Sequence, residues 1–177
     1  MDLTEKTIAS EEIYQGNVIH VKLDTVLLPN GHQSKRELVL HHGGVAVIAV
    51  DKNRRVPMVR QYRKAMEELV LEIPAGKLEP GEDPLECGIR ELREETGLSA
   101  EKIVHLGEYY PTPGYCGEKI NIYLAQGLSS NGQSLDPDEF LDVIFYELDE
   151  LFQMVMENKI SDAKTAIGIL KAKNILG

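Results

Sequence analysis

No stretch of this 177-residue sequence stays apolar for the ~18 residues that a membrane-spanning helix needs. Basic residues are in deficit: 19 lysines and arginines stand against 29 aspartates and glutamates, a formal net charge of −10. A surface of that sign repels phosphate backbones, so nucleic acid is not an expected partner. An anionic substrate would need arginines or metal to meet it. Cysteine is scarce too. Cys87 and Cys116 form no CxxC pair and read as two reduced thiols of a cytoplasmic protein. The five histidines show no zinc spacing. The opening residues, MDLTEKTIASEE, are polar and acidic, unlike a signal peptide.

What is present is ordinary for a folded chain, at 42% hydrophobic and 27% charged residues. The length suits one domain, or one domain with a small extension. Residues 18–28 alternate in period 2 and predict a strand, PNG at 29–31 a turn, and 35–42 the returning strand of a hairpin. GGVAVIAVD (43–51) predicts a buried strand, and strands follow at 56–63 and 69–76, the latter stopped by Pro74 and Gly76. Further strands are expected near 103–110, 120–126 and 141–146, with a polar loop over 127–139. Two helices close the chain, about 147–157 and 161–174, the second with Ser161 as its N-cap. Strands outnumber helices, and hairpins mix with crossovers. This predicts an α/β fold, a mixed sheet sandwiched by helices.

The best-marked element is a helix over 83–96. Asp83 is a good N-cap, Pro84 suits the first helical position, Glu86 completes a pattern like a capping box, and Gly97 is placed to end the helix. Leu85, Ile89 and Leu92 make an apolar stripe expected to face the core. The same helix carries Glu91, Glu94 and Glu95. At 100° per residue Glu95 lies about 40° to one side of Glu91 and Glu94 about 60° to the other. Arg90 can pair with Glu94 at i,i+4, yet one arginine cannot neutralise three carboxylates. Hard divalent cations can, because Mg²⁺ takes oxygen ligands.

A tight loop, PAGKLEPGE, precedes this helix. Taken together, Gly76, Glu82, Arg90, Glu91, Glu94, Glu95, Gly97 and Leu98 spell Gx5Ex7RELxEExGL. This resembles the Nudix box at every defined position. The resemblance implies a Nudix α/β/α sandwich with a mixed sheet over 43–177, preceded by N-terminal strands at 1–42 that form a β-hairpin extension. It implies hydrolysis of a nucleoside diphosphate linked to another group, with Mg²⁺ or Mn²⁺ as cofactor. It makes Glu91, Glu95 and the Ala75 carbonyl metal ligands, Glu94 a further ligand or catalytic partner, Arg90 the residue that orients them, and Glu82 an outer member.

Outside the box, YYPTPGYCGEKI (109–120) puts Pro113 fifteen residues after Leu98. With Gly114 and Glu118 it resembles a segment of the ADP-ribose pyrophosphatase subgroup. IPAGKLEPGE, KRELVLHHGGVAVIAV and QYRKA resemble that subgroup as well. The resemblance implies substrate contacts from Arg36, Glu37, Arg63, Pro113 and Glu118. The forked donors of arginine suit a diphosphate. The subgroup often stacks adenine on aromatics, sometimes tryptophan. This chain has none, which leaves Tyr14 and Tyr115 as alternatives. The resemblance also implies a catalytic base on LDPDEFLDV (135–143), with Glu139 the best match and Asp138 and Asp136 its rivals, and a homodimer that exchanges its N-terminal strands. The alternatives are a hydrolase of GDP-mannose or a UDP-sugar, and a Nudix module that binds a nucleotide without turnover.

Overall fold

The structure is a computed structural model that describes residues 2–135 and 140–177. It divides into two compact units. The first comprises the residues up to Gly43 together with Tyr110–Lys119. Its strands β1 (Lys6–Gln15), β2 (His20–Leu27) and β3 (Gln33–Leu40) form an antiparallel meander in that order. The expected hairpin is there, turned at Gly31 with φ 82°. It has gained a third strand. β1 was missed because all ten of its residues are exposed, so no buried face imprints an alternation on KTIASEEIYQ. Its partner in β2 helps to hold it: Asp24 accepts hydrogen bonds from the Thr7 and Ser10 hydroxyls. The segment carrying Pro113 docks along β3, where Val39 N–H donates to the Tyr115 carbonyl and Gly117 N–H to the Val39 carbonyl, at 2.8 and 2.9 Å.

The second unit comprises Gly44–Tyr109 and Ile120–Gly177. β4 (Gly44–Val50) is buried throughout, as a strand covered on both faces must be. β5 (Arg55–Arg63) lies between β6 (Glu68–Glu72) and β10 (Leu141–Glu147) in an antiparallel sheet. β7 (Ala75–Lys77), β4, β9 (Ile120–Ser130) and β8 (Leu98–Tyr109) form a mixed sheet in that order, with β4 parallel to β9. The helices are α1 (Pro84–Thr96), α2 (Leu148–Met156) and α3 (Ala163–Leu176).

The sandwich can be followed along β4. Ala46, Ile48 and Val50 belong to a core with Met58, Leu148, Leu151 and Ile169, on the side of α2 and α3. Val45, Val47 and Ala49 belong to a second core with Cys87 and Leu92 of α1. Alternate residues of one strand thus face different helical layers, the predicted α/β/α arrangement. Gly88 lets α1 approach closely, since a Cβ there would stand 3.1 and 3.3 Å from the Cγ2 methyls of Val45 and Val47.

Three local expectations need correction. The run 69–76 is not one strand: it leaves the antiparallel sheet after Glu72 and joins the mixed sheet at Ala75. Pro74 lies between the two pieces and has no N–H to continue a ladder. On α1 only Leu92 of the apolar stripe is buried, while Leu85 is 37% and Ile89 41% exposed. The buried face is Cys87, Gly88, Glu91, Leu92 and Glu95, because two carboxylates are turned inward and displace the apolar stripe from the core. Finally, Asp162, not Ser161, caps α3, accepting from Thr165 N–H at 3.0 Å.

Thr165 is fully buried and accepts a 2.9 Å hydrogen bond from Ile73 N–H. Thr165→Val keeps the shape and strands that donor. The expected outcome is a loss of ~1–3 kcal/mol, read as a lower urea midpoint with an unchanged m-value.

Candidate active site

Residues 72–76 connect the two sheets of the second unit, and several elements converge on them. Glu72 receives Arg63 of β5, whose Nε and Nη2 lie 3.1 and 2.5 Å from its two oxygens. The Pro74 carbonyl accepts Val47 N–H of β4 at 2.8 Å. Ala75 N–H donates to Glu95 Oε2 of α1 at 3.0 Å. Gly76 lies against Glu91, for a Cβ at this position would stand 1.8 Å from Glu91 Oε1. The first glycine of the motif is therefore required by sterics: its missing side chain is the space the Glu91 carboxylate fills.

Asp83 starts the helix, its carboxylate accepting from Leu85 and Glu86 N–H, and Gly97 ends it at φ 70°. These caps fix the helix register, which puts Glu91 and Glu95 one turn apart on the inward face. They are 7% and 3% exposed. Arg90 lies beside them. Its Nη1 donates to Glu91 Oε1 at 2.8 Å and Glu94 Oε2 at 3.0 Å, and its Nε to Glu82 Oε1 at 3.2 Å. Burial works against the guanidinium charge, and the hydrogen bonds and charges of Glu82, Glu91 and Glu94 outweigh it, so its pKa is raised. Glu82 is drawn below the usual carboxylate range by the Glu79 N–H and by Arg90. One guanidinium thus collects three of the motif's carboxylates, and Glu95 is held by the backbone instead.

Among the described residues, no three acidic, histidine or cysteine side chains already converge as a metal cluster. The donor types nevertheless fit a hard divalent cation. Two nearly buried carboxylates, Glu91 and Glu95, border the Ala75–Gly76 backbone, and every nearby acidic ligand offers oxygen. Glu94 lies on the same helix, paired with Arg90 and more exposed.

The remaining expected site residues divide between the units. In the second, Arg63 pairs with Glu72, which sequence reasoning did not single out. In the first, Arg36 grips Glu5 with Nε and Nη2 at 2.8 and 2.5 Å. Glu37 and Pro113 are exposed, and Glu118 lies 3.8 Å from His41 Nδ1. Tyr14 and Tyr115 are both more than half exposed. Glu139, Asp138 and Asp136 fall outside the described residues. Glu72 left no sequence signal of its own; the register places it on the strand face that carries Gln61 and Arg63 of β5.

A mixed sheet between two helical layers, edged by a glycine–proline loop and a helix with inward carboxylates, defines a Nudix-type α/β/α fold. Residues 40–166 match the NUDIX domain and residues 5–39 the nucleoside diphosphate sugar hydrolase N-terminal domain, so the chain belongs to the Nudix family. Among its relatives is the methanol dehydrogenase activator of Bacillus methanolicus, 48% identical over 167 residues that cover 93% of this chain and 90% of that protein. The ADP-ribose pyrophosphatase of Bacillus subtilis (strain 168) is 45% identical over 169 residues, covering 94% and 91%. A solved structure described as an ADP compounds hydrolase shares the fold with a TM-score of 0.86 at 22% identity, over 99% of this chain and 96% of that one.

Two outcomes follow from the packing. Gly76→Ala should still fold, since the clash is with a side chain, but must displace Glu91. Mn²⁺ affinity, read by EPR titration, should fall roughly 10–100-fold. Cys87 is fully buried, and burial pushes its thiol up to about 12 despite the neighbouring Arg90. It should resist a thiol reagent at pH 8 until the chain is unfolded, when mass spectrometry finds it labelled.

Proposed function

We propose that this protein is a divalent-metal-dependent hydrolase of ADP-ribose, yielding AMP and ribose 5-phosphate. The observation that carries the reading is the pair of buried carboxylates, Glu91 and Glu95, set against the Ala75–Gly76 backbone at the edge of the sheet. The 45% identity to the ADP-ribose pyrophosphatase of Bacillus subtilis supports the choice of substrate. Glu91, Glu95, Glu94 and the Ala75 carbonyl would hold Mg²⁺ or Mn²⁺, which when bound would supply positive charge at the diphosphate and make a water easier to deprotonate. Arg90, paired with Glu82, Glu91 and Glu94, offsets the repulsion among these carboxylates.

Arg36, Glu37, Arg63, Pro113 and Glu118 bind the substrate. Glu139 takes a proton from the attacking water, whose oxygen bonds to one phosphorus as the P–O–P bridge breaks. Residues 1–42 act as a strand-exchanging extension of the domain at 43–177, and the active form is a cytoplasmic homodimer with Arg36 near the partner's site. The match of residues 5–39 to a nucleoside diphosphate sugar hydrolase domain favours other nucleotide sugars, such as GDP-mannose or a UDP-sugar, as the second reading.

A panel of nucleotide sugars assayed with Mg²⁺ tests both readings. ADP-ribose is expected to give AMP with the highest kcat/KM, and preferential turnover of a UDP- or GDP-sugar would favour the second. EDTA should abolish hydrolysis, and Glu95→Gln should cut kcat by orders of magnitude while circular dichroism stays unchanged. Glu139→Gln should lower kcat by roughly 10²–10⁴-fold with little change in KM. A fully active Glu139→Gln alongside an inactive Asp138→Asn would move the base to Asp138. Sedimentation at micromolar concentration should show a dimer, and a monomer there would remove the shared-site arrangement.

A further inference from the structure

Glu72 is 3% exposed and lies at the inner end of β6. Such a carboxylate needs charged partners, and it has two. Arg63 binds it through Nε and Nη2, and Lys164 Nζ, from the first turn of α3, approaches its Oε1 at 3.5 Å. Gln61 Nε2 adds a hydrogen bond to Oε2 at 3.3 Å. Lys164 is itself shared with Asp162 at 2.9 Å.

The choice of partner is informative. Strand register sets Arg63 opposite Glu68, and Glu72 lies opposite Val59, four residues along. Arg63 passes over its exposed register neighbour and reaches the buried carboxylate. Only one edge of its guanidinium is used. Among the described residues Nη1 has no hydrogen-bond partner, and the side chain remains 40% exposed. Because Lys164 also draws on Glu72, the carboxylate does not cancel Arg63 alone. The charge of Glu95 also favours the Arg63 guanidinium, though less than that of Glu72.

We propose that Glu72 is a positioning residue for the diphosphate: it locks the Arg63 guanidinium by its Nε–Nη2 edge and leaves the Nη1 end for a phosphate oxygen of the substrate. This rests on the reading of the chain as an ADP-ribose hydrolase. Glu72 touches no reacting atom. It removes rotamers of Arg63 that would otherwise have to be frozen when substrate binds. It also ties the guanidinium to the stretch whose Ala75 N–H is bound to Glu95. An ordinary structural ion pair would stabilise the fold and leave substrate affinity untouched.

The test is a double-mutant cycle on KM for ADP-ribose at saturating Mg²⁺. Glu72→Gln removes the charge-assisted pairing, and about a tenfold rise in KM is expected, with kcat within about threefold of the parent. The Mg²⁺ concentration for half-maximal activity should not move. In an Arg63→Met background the same substitution should leave KM unchanged, because Glu72 acts only through Arg63. If Glu72→Gln does not fold, Glu72→Gln with Lys164→Met removes one charge of each sign and takes its place. An unchanged KM in a folded Glu72→Gln protein overturns the role of Glu72 alone. So does a KM rise that persists without Arg63. Absence of ADP-ribose hydrolysis by the parent protein overturns the functional reading, and this inference with it.

Discussion

Residues 72–76 form the joint on which the catalytic unit depends. A chain that crosses from one sheet to another gives up the ladder bonds of both, and its backbone groups must be satisfied otherwise. Here Ile73 N–H goes to Thr165, the Pro74 carbonyl to Val47, and Ala75 N–H to Glu95. Helix α3, strand β4 and helix α1 therefore meet on consecutive residues. Loosening any of these contacts shifts the backbone that borders Glu91 and Glu95, so fold stability and site geometry share the same hydrogen bonds.

Charge follows the same economy. An acidic chain has few cations to spare, and three in this unit are committed to carboxylates around the joint. Arg90 serves Glu82, Glu91 and Glu94, while Arg63 and Lys164 serve Glu72. Breaking a buried pair by deleting one partner typically costs about 3–5 kcal/mol, because a charge is left in low dielectric. The carboxylates nearest the backbone are thus held at some cost in an arrangement that an apolar core would not need. That is expected where a group is kept for binding or catalysis.

The N-terminal unit has a different character. Its three strands bury little of their own: β1 is exposed over its whole length, and Ile8, Ile13, Tyr14, Ile19, Leu27 and Leu40 are exposed large side chains. Residues 115–117 dock along β3, which brings a segment distant in sequence into the unit. A sheet with so much uncovered apolar surface gives physical motive for the proposed pairing of two protomers.

The sequence by itself determined much of this. Local signals marked α1 at both ends, since Asp83 and Gly97 act on their own neighbours through capping and a left-handed turn. The all-apolar run of β4 announced a strand covered on both faces, and with it the sandwich. The glycine, arginine and glutamate spacing marked the candidate site, because register along one helix is enough to bring Glu91 and Glu95 together. The tertiary structure decided what depends on partners far away in the chain. β1 has no burial pattern of its own and exists through β2. Pro74 divides one apparent strand because β4 takes Ala75–Lys77 as a partner. Leu85 and Ile89 stay outside, although the helical period favoured them for the core, because the inward face of α1 is given to two carboxylates that meet the 75–76 backbone. Glu72 looks in sequence like any strand glutamate, and only the approach of Arg63 and of α3 makes it a buried charge.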